Sequence, residues 1–405
     1  MCHARRVSTS ESHAFKLHRV RLRHYRSIAT CDVSLGDLAL LVGPNGSGKS
    51  NFLDALRLTS DALNTTLDHA LRERGGLKEV RRRSTGHPTH FRIEVEFSVQ
   101  GYAGSYSFQI AAVRGGDFRV SHEDCVVSDT EFGGKDWHYR VRDGELVGSS
   151  EEIMPAVSED RLYLVAASSV HPFRLVFDGL RAITVYNLNP DAMRGLQKPD
   201  SGDLLRRDGG NAASVLERLR RESPSAKERV EEYLRLVVPG IEGVDRVNLD
   251  SWETLEFRQE TAGSNQPWSF RGSSMSDGTL RALGVLLALF SSSTKFASTI
   301  GIEEPEAALH PAAAGVLLDA LRDASSQRQV LVTSHSPDLL DDASITHGEL
   351  VAVRLVDGAT QLGRPDRAGR QALGASLFTA GELLRVDQLV PEVPTGQQMS
   401  LLDAS

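Results

Sequence analysis

The sequence predicts an α/β fold in which a mixed central sheet carries an antiparallel β-subdomain and an inserted helical lid. An apolar run, Leu38–Val42, enters a Gly-rich loop and then a helical pattern from Asn51 through Leu58. That order is expected of a buried parallel strand, a turn and a covering helix. Between His90 and Val127 the texture changes to strict alternation, as in Phe91-Arg92-Ile93-Glu94-Val95-Glu96-Phe97, with Gly-containing turns between runs. This reads as an antiparallel meander with one solvated face. Near the end a β/α alternation returns, with helix 279–290, strand Ser298–Ile302, helix 307–322, strand Gln329–Thr333 and strand Leu350–Leu355.

Residues 1–14 are polar and expected to be flexible. In 16–24, Leu17, Val20 and Leu22 oppose Lys16, Arg19 and Arg21, the pattern of a half-buried strand. A polar helix-like segment, 59–74, continues from the helix after the Gly-rich loop, and 128–160 reads as loop. Segment 211–235 is helical with a break at Pro224, and Val244 to Phe257 looks like a second, small strand pair. The tail from about 360 holds Gly, Pro and polar residues with short amphipathic pieces. One composite domain is therefore expected over 15–360: a first lobe 15–89, the meander and its connection 90–190, a helical insertion 191–270 and a closing lobe 271–360. The tail 361–405 follows. The absence of internal repeats and sustained heptads excludes a long coiled coil.

Composition narrows the function classes. With 40% hydrophobic and 25% charged residues, the 405-residue chain has an ordinary globular make-up. The longest apolar stretch, Ala282–Phe290, is too short to span a bilayer, and the N-terminus lacks the apolar core of a secretory signal. Cys2, Cys31 and Cys125 show no metal spacing and leave an odd thiol, so a cytoplasmic location without membrane contact is expected. A net charge of −8 excludes a general polyanion binder. Two local basic runs remain, Lys16 to Arg26 and Arg72 to Arg83. Either could meet nucleic-acid phosphates, and either reads equally well as a solvated face.

The chemistry concentrates in four places. Gly43-Pro44-Asn45-Gly46-Ser47-Gly48-Lys49-Ser50 fits G-x-x-x-x-G-K-[ST] at every fixed position, between a strand and a helix. A Gly-rich turn with an exposed lysine would need all those agreements by chance. The glycines let backbone N–H groups wrap an anion. Lys49 can then pair with β- and γ-phosphates, and the Ser50 hydroxyl can ligate Mg²⁺. The motif implies a P-loop fold that binds a nucleoside triphosphate.

Strand Ile300-Gly301-Ile302 runs into Glu303-Glu304-Pro305-Glu306. Paired acids at the carboxyl end of a parallel strand sit where such sheets place ligands. Glu303 is assigned to the Mg²⁺ shell and Glu304 to the attacking water; the alternative is an acidic helix N-terminus, which suits Glu306. His335, in Val332-Thr333-Ser334-His335-Ser336-Pro337, ends the next strand thirty-one residues after Glu304. It is either a turn residue or a partner of the γ-phosphate. Ser274-Met275-Ser276-Asp277-Gly278-Thr279-Leu280-Arg281 opens an apolar helix. Its hydroxyl, free amides and dipole suit an anion, and the same string is an ordinary N-cap.

In this order the elements resemble the ABC-class ATPases of the SMC, RecF and OLD group, and in particular their compact bacterial AAA-family members. Gly43–Asn51 matches their Walker A, Ser276-Asp277-Gly278-Thr279 their signature, Ile302–Glu306 their Walker B, Ala307–His310 their D-loop and His335 their switch histidine. The segment Arg23-His24-Tyr25-Arg26-Ser27-Ile28 is similar to their first strand end. Leu205 to Leu216, with Asp208-Gly209-Gly210-Asn211, and Gly381-Glu382-Leu383-Leu384 fit the same members. The resemblance implies an ABC-type head in which Lys49, Glu304 and His335 serve catalysis. It also implies that Gly43 to Asn51 and Arg26 hold ATP, with Ser276 and Gly278 reaching it from a second copy in a homodimer. Ser50 and Glu303 would hold Mg²⁺. Two positions depart from the pattern: Glu303 is one methylene longer than the common Asp, and Asp277 adds an acid where Gly is usual. Gln109 is a candidate for the Q-loop residue by its place in the meander.

The implied function is an ATP-hydrolysing ATPase of DNA repair or anti-phage defence, acting with DNA or with a separate nuclease or other effector. About seventy residues follow His335, too few for the C-terminal TOPRIM nuclease of OLD-type relatives. The alternative is a non-enzymatic or very slow ATP-gated dimerisation switch. A transporter subunit fits poorly, because more than two hundred residues separate Ser50 from Ser276.

Overall fold

The computed structural model describes residues 15–392 apart from 85, 87, 114, 116, 131–133, 159, 262, 264, 265 and 292–298. The expectations for residues 1–14, Cys2, Ser298 and the end of the tail lie outside the described residues. Sixteen strands follow one another along the described chain: β1 (Lys16–Tyr25), β2 (Ile28–Ser34), β3 (Leu38–Val42), β4 (His90–Val99), β5 (Tyr102–Ala112), β6 (Phe118–Asp129), β7 (Asp136–Arg142), β8 (Glu145–Ser149), β9 (Thr184–Tyr186), β10 (Ile241–Leu249), β11 (Trp252–Gln259), β12 (Trp268–Arg271), β13 (Ile300–Glu303), β14 (Val330–Ser334), β15 (Leu350–Val356) and β16 (Ala359–Gly363).

Thirteen of them form one sheet in the order β8-β7-β6-β5-β4-β1-β2-β16-β15-β3-β14-β13-β9. The end of the sheet that carries the edge strand β9 is parallel: β15, β3, β14, β13 and β9 run the same way. The near-continuous apolar run of β3 has its reason in the packing. Ala39 and Leu41 join one hydrophobic cluster, whereas Leu38, Leu40 and Val42 join another on the opposite face. Helices cover both faces, so neither parity can be polar. The other end, from β2 through β8, is antiparallel. There the strict alternation of β4 puts Phe91, Ile93, Val95 and Phe97 in the core and their neighbours toward solvent.

The meander is larger than expected. Residues 128–160 contain β7 and β8 rather than loop alone. Strand β7 alternates with charged residues on its open face, so its apolar content is low. The meander is anchored by Glu123, which is fully buried. Its carboxylate accepts from the hydroxyls of Tyr106 (3.1 Å) and Tyr139 (2.8 Å) and from the backbone N–H groups of Tyr163 (2.6 Å) and Leu164 (2.8 Å). Burial pushes this carboxyl up to about 7 against those hydrogen bonds.

Three further expectations need correction. Helix 59–74 is two helices, Lys49–Asn64 and Leu67–Arg72, because Thr66 starts a new one by accepting from His69 N at 3.1 Å. The helix expected from 307 begins at Ala314. Before it, Glu304 (φ 45°) and Ala308 (φ 64°) take left-handed backbone conformations that no helix tolerates. The small strand pair is a three-stranded antiparallel sheet, β10-β11-β12. The helical break at Pro224 occurs as expected, between Ala212–Glu222 and Pro224–Val237. Strand β16 crosses position 360 and links β2 to β15. Among the described residues the longest helix has 16 residues, and none is long and apolar enough to cross a membrane.

Candidate functional site

Strands β3, β13 and β14 lie side by side and end at the same edge of the sheet, which brings the phosphate loop, the paired acids and His335 together. The loop leaves β3 at Gly43, whose N–H reaches Ser334 O at 3.4 Å. A Cβ on Gly43 would meet Val353 O at 1.9 Å, so only glycine passes there. Gly48 has φ 99°, and a Cβ on it would meet the Thr360 hydroxyl at 2.1 Å. Thr360 itself donates to Ser47 O at 2.8 Å and shares a hydrogen bond with the Ser27 hydroxyl at 2.6 Å. Strand β16 thus forms the floor of the loop, a part the sequence reading missed.

Lys49 begins the following helix and is buried. Its ammonium donates to Gly43 O at 2.8 Å and Pro44 O at 2.9 Å. Burial lowers its pKa, while Glu304 and Glu306 act in the opposite direction. The Ser47 hydroxyl is buried with no hydrogen-bond partner. A concave loop that excludes side chains, a buried lysine and an orphaned hydroxyl fit a bound triphosphate, whose oxygens would take these donors.

Burial raises the Glu303 pKa, and the neighbouring Ser50 hydroxyl acts in the opposite direction. A hydroxyl and a carboxylate are the hard oxygen ligands that Mg²⁺ takes. Among the described residues no group of three His, Cys, Asp or Glu side chains could hold a metal alone. A cation bound by Ser50 and Glu303 would need phosphate and water oxygens as well.

Glu304 stands one residue on, its N–H donating to Thr333 O at 3.0 Å. The His335 Nδ1 lies 3.2 Å from Glu304 Oε1. The two groups are close enough to pair when the ring is charged, but the ring nitrogen is not aligned for a hydrogen bond. Glu306, read from sequence as a helix N-terminus, does not cap a helix. It is turned into the site, where Ser334 donates to it at 2.6 Å, and burial raises its pKa.

The remaining sequence candidates have other company. Arg26, in the tight β1–β2 turn with φ 48°, pairs with Asp54 at 2.8 Å. Asn51 donates to the Ser27 hydroxyl at 2.6 Å. Gln109 donates to Ser121 at 3.1 Å across β5 and β6, six strands from β3 in the sheet order, so it does not join the site.

At the signature, Ser276 caps the helix Asp277–Phe290 by accepting from Thr279 N at 3.1 Å, and it is exposed. A Cβ on Gly278 would meet Ala308 O at 2.4 Å, so the helix start lies directly on the Ala307–His310 turn. Asp277 is not the uncompensated acid that the sequence suggests. The Arg194 guanidinium pairs with it and also donates to Met275 O at 2.8 Å. Arg281, another residue given no role from sequence, donates to Glu303 O and Glu304 O at 3.2 Å each and to Leu188 O at 2.9 Å. It ties the signature helix to the acids. An arginine one turn into an otherwise apolar helix was the available signal.

Residues 38–141 and 161–341 match the family described as "AAA domain, putative AbiEii toxin, Type IV TA system", and these ranges span the loop, both acids, the signature and His335. The chain belongs to that family. No curated protein matches it in sequence. Among solved structures it is similar to an Smc head bound to the C-winged helix domain of ScpA, with 13% identity and a TM-score of 0.53 over 87% of this chain and 99% of that one. It is also similar to the Smc head domain with an extended coiled coil from Pyrococcus furiosus, bound to the C-terminal domain of ScpA. That match has 11% identity and a TM-score of 0.56 over 90% of this chain and 99% of that one. At such identities the likeness is one of fold: the family member described here has the ABC-class ATPase head fold of the SMC and RecF type.

Proposed function

We propose that this AAA-family chain binds ATP with Mg²⁺, closes into a homodimer around it and hydrolyses it. The observation that carries this reading is the convergence of Lys49, Glu304 and His335 at one sheet edge, with Glu304 3.2 Å from His335 and within electrostatic reach of Lys49. When bound, Mg²⁺-ATP supplies the phosphoryl group to be transferred and the charge that polarises it. Lys49 would turn from the loop carbonyls to the β- and γ-phosphates, and the loop amides would hold the remaining oxygens. Ser50 and Glu303 would hold the cation. Glu304 would orient and polarise the attacking water, with His335 facing the γ-phosphate. Ser276 and Gly278 would reach the triphosphate of a second copy, which accounts for the exposed position of Ser276.

Defence or DNA repair with a separate effector is the setting we infer. The family's description as an AbiEii-type toxin supports the first of these. The Smc heads bound to a ScpA domain support docking of a partner protein on this fold. Cys31 and Cys125 are buried free thiols, in keeping with a cytoplasmic setting.

Glu304→Gln tests the reading. It is expected to lower turnover by about 1,000-fold while leaving ATP affinity intact, and to accumulate an ATP-bound dimer in sedimentation velocity. Unchanged turnover would remove Glu304 from catalysis. A strict monomer at saturating ATP would leave Ser276 without its proposed role.

A further inference from the structure

Glu306 is the acid at this edge that the hydrolytic scheme does not use. It sits in the turn after β13, and the next long helix starts only at Ala314, so it stabilises no helix end. Its side chain turns back toward β14. There the Ser334 hydroxyl donates to Oε1 at 2.6 Å, and the same hydroxyl accepts the N–H of Ser336 at 3.1 Å. Ser334 is fully buried. The residue between the two serines is His335. The chain Glu306–Ser334–Ser336 therefore brackets the histidine and fixes the turn that presents it.

The other carboxylate oxygen, Oε2, is buried and has no hydrogen-bond partner. A carboxylate kept only for packing would have both oxygens satisfied or be replaced by a neutral side chain, since an unpaired buried acceptor is costly. Lys49, Glu304 and His335 all act on this corner electrostatically.

We propose that Glu306 is a positioning residue for hydrolysis. Through Ser334 it holds the His335 turn, and its second oxygen accepts a hydrogen bond from a water that arrives with the nucleotide. This rests on the ATPase reading above and adds a residue to it.

Glu306→Ala and Ser334→Ala are each expected to lower kcat about 10-fold, with KM for ATP and the affinity for a fluorescent ATP analogue unchanged within about twofold. In a His335→Ala background Glu306→Ala should cost nothing further, because the residue it acts through is gone. Glu306→Gln keeps an oxygen for Ser334 but puts an amide donor where the second oxygen would accept from water, so it should recover only part of the rate. Multiplicative losses with His335→Ala, or a loss of nucleotide affinity in place of kcat, would overturn the proposal. Should Glu306→Ala fail to fold, Ser334→Ala alone and in the His335→Ala background carries the same comparison. The nucleotide-free protein gives a separate readout: the His335 ring resonances in NMR should move in both Glu306→Ala and Ser334→Ala. A wild type without turnover but with these shifts would end the ATPase reading and leave the relay standing. Unmoved resonances would end the relay.

Discussion

Around the phosphate loop, Ser47, Lys49, Thr333, Ser334 and Thr360 are all buried, and their partners come from the loop itself, from the turn after β13 and from β16. At the signature helix, Ser276 and Asp277 lie exposed, held in shape by Thr279 and Arg194 and covered by none of the described residues. One half of the candidate site is finished within the chain; the other is a rigid edge presented outward. A buried half can bind nucleotide alone, because its donors are already converged and desolvated. An exposed half with fixed geometry gains strength only when a second surface removes water from it. The contrast supports binding within one subunit and completion by another, and it can be probed from either side.

The largest effect is expected from Lys49→Ala, which removes the buried cation and should weaken ATP binding by about 100-fold or more, as loss of charge-assisted hydrogen bonds does. Isothermal titration reads it, and normal affinity would show the buried half to be misassigned. Next is Ser276→Arg on the exposed edge. It should weaken ATP-dependent dimerisation by about 30-fold through crowding at a packed contact, while affinity of the single subunit stays within about twofold. Parallel loss of both would mean that the halves are not separable. Arg194→Ala should weaken dimerisation by about 10-fold by leaving Asp277 uncompensated beside a phosphate. Adding Asp277→Gly should restore it; a double variant as weak as Arg194→Ala would show that compensation is not the arginine's task. The smallest effect is that of Thr360→Val, which deletes the hydroxyl under the loop. About 1 kcal/mol, or some fivefold in ATP affinity, is expected, and dimerisation at saturating ATP should be unchanged.

How far these features could be read in advance depended on whether their causes are local. Strand β3, the loop and its helix were legible because apolar run, glycines and Lys49 act on immediate neighbours. Strand β4 was legible because alternation is its own signature. Strand β7 was not, since Asp136, His138, Arg140 and Arg142 face outward and leave few apolar residues to mark it. Glu306 was misread for a different reason. Glu-Pro-Glu-Ala-Ala resembles a helix start, and only the left-handed backbone at Glu304 and Ala308 postpones the helix. Thr360 offered no local signal, and Arg281 offered only its place in an apolar helix, which does not say what it touches. Their roles arise from contacts with Ser47 and with Glu303 and Glu304, which are distant in the chain.

The hydrogen bond from Thr360 to Ser47 closes a loop of 313 positions, and this has a consequence for the birth of the protein. The first of the site motifs along the chain is completed by the last of the described strands. At about 5–20 residues per second, Gly43 to Ser50 must wait roughly 15–60 s for β16. For most of that wait, until residues 330–356 are made, β3 also lacks its neighbours β14 and β15, and both its edges stand unpaired. A nascent chain stalled before residue 359 should therefore be unable to retain ATP, and it should be the form of this protein most in need of a chaperone.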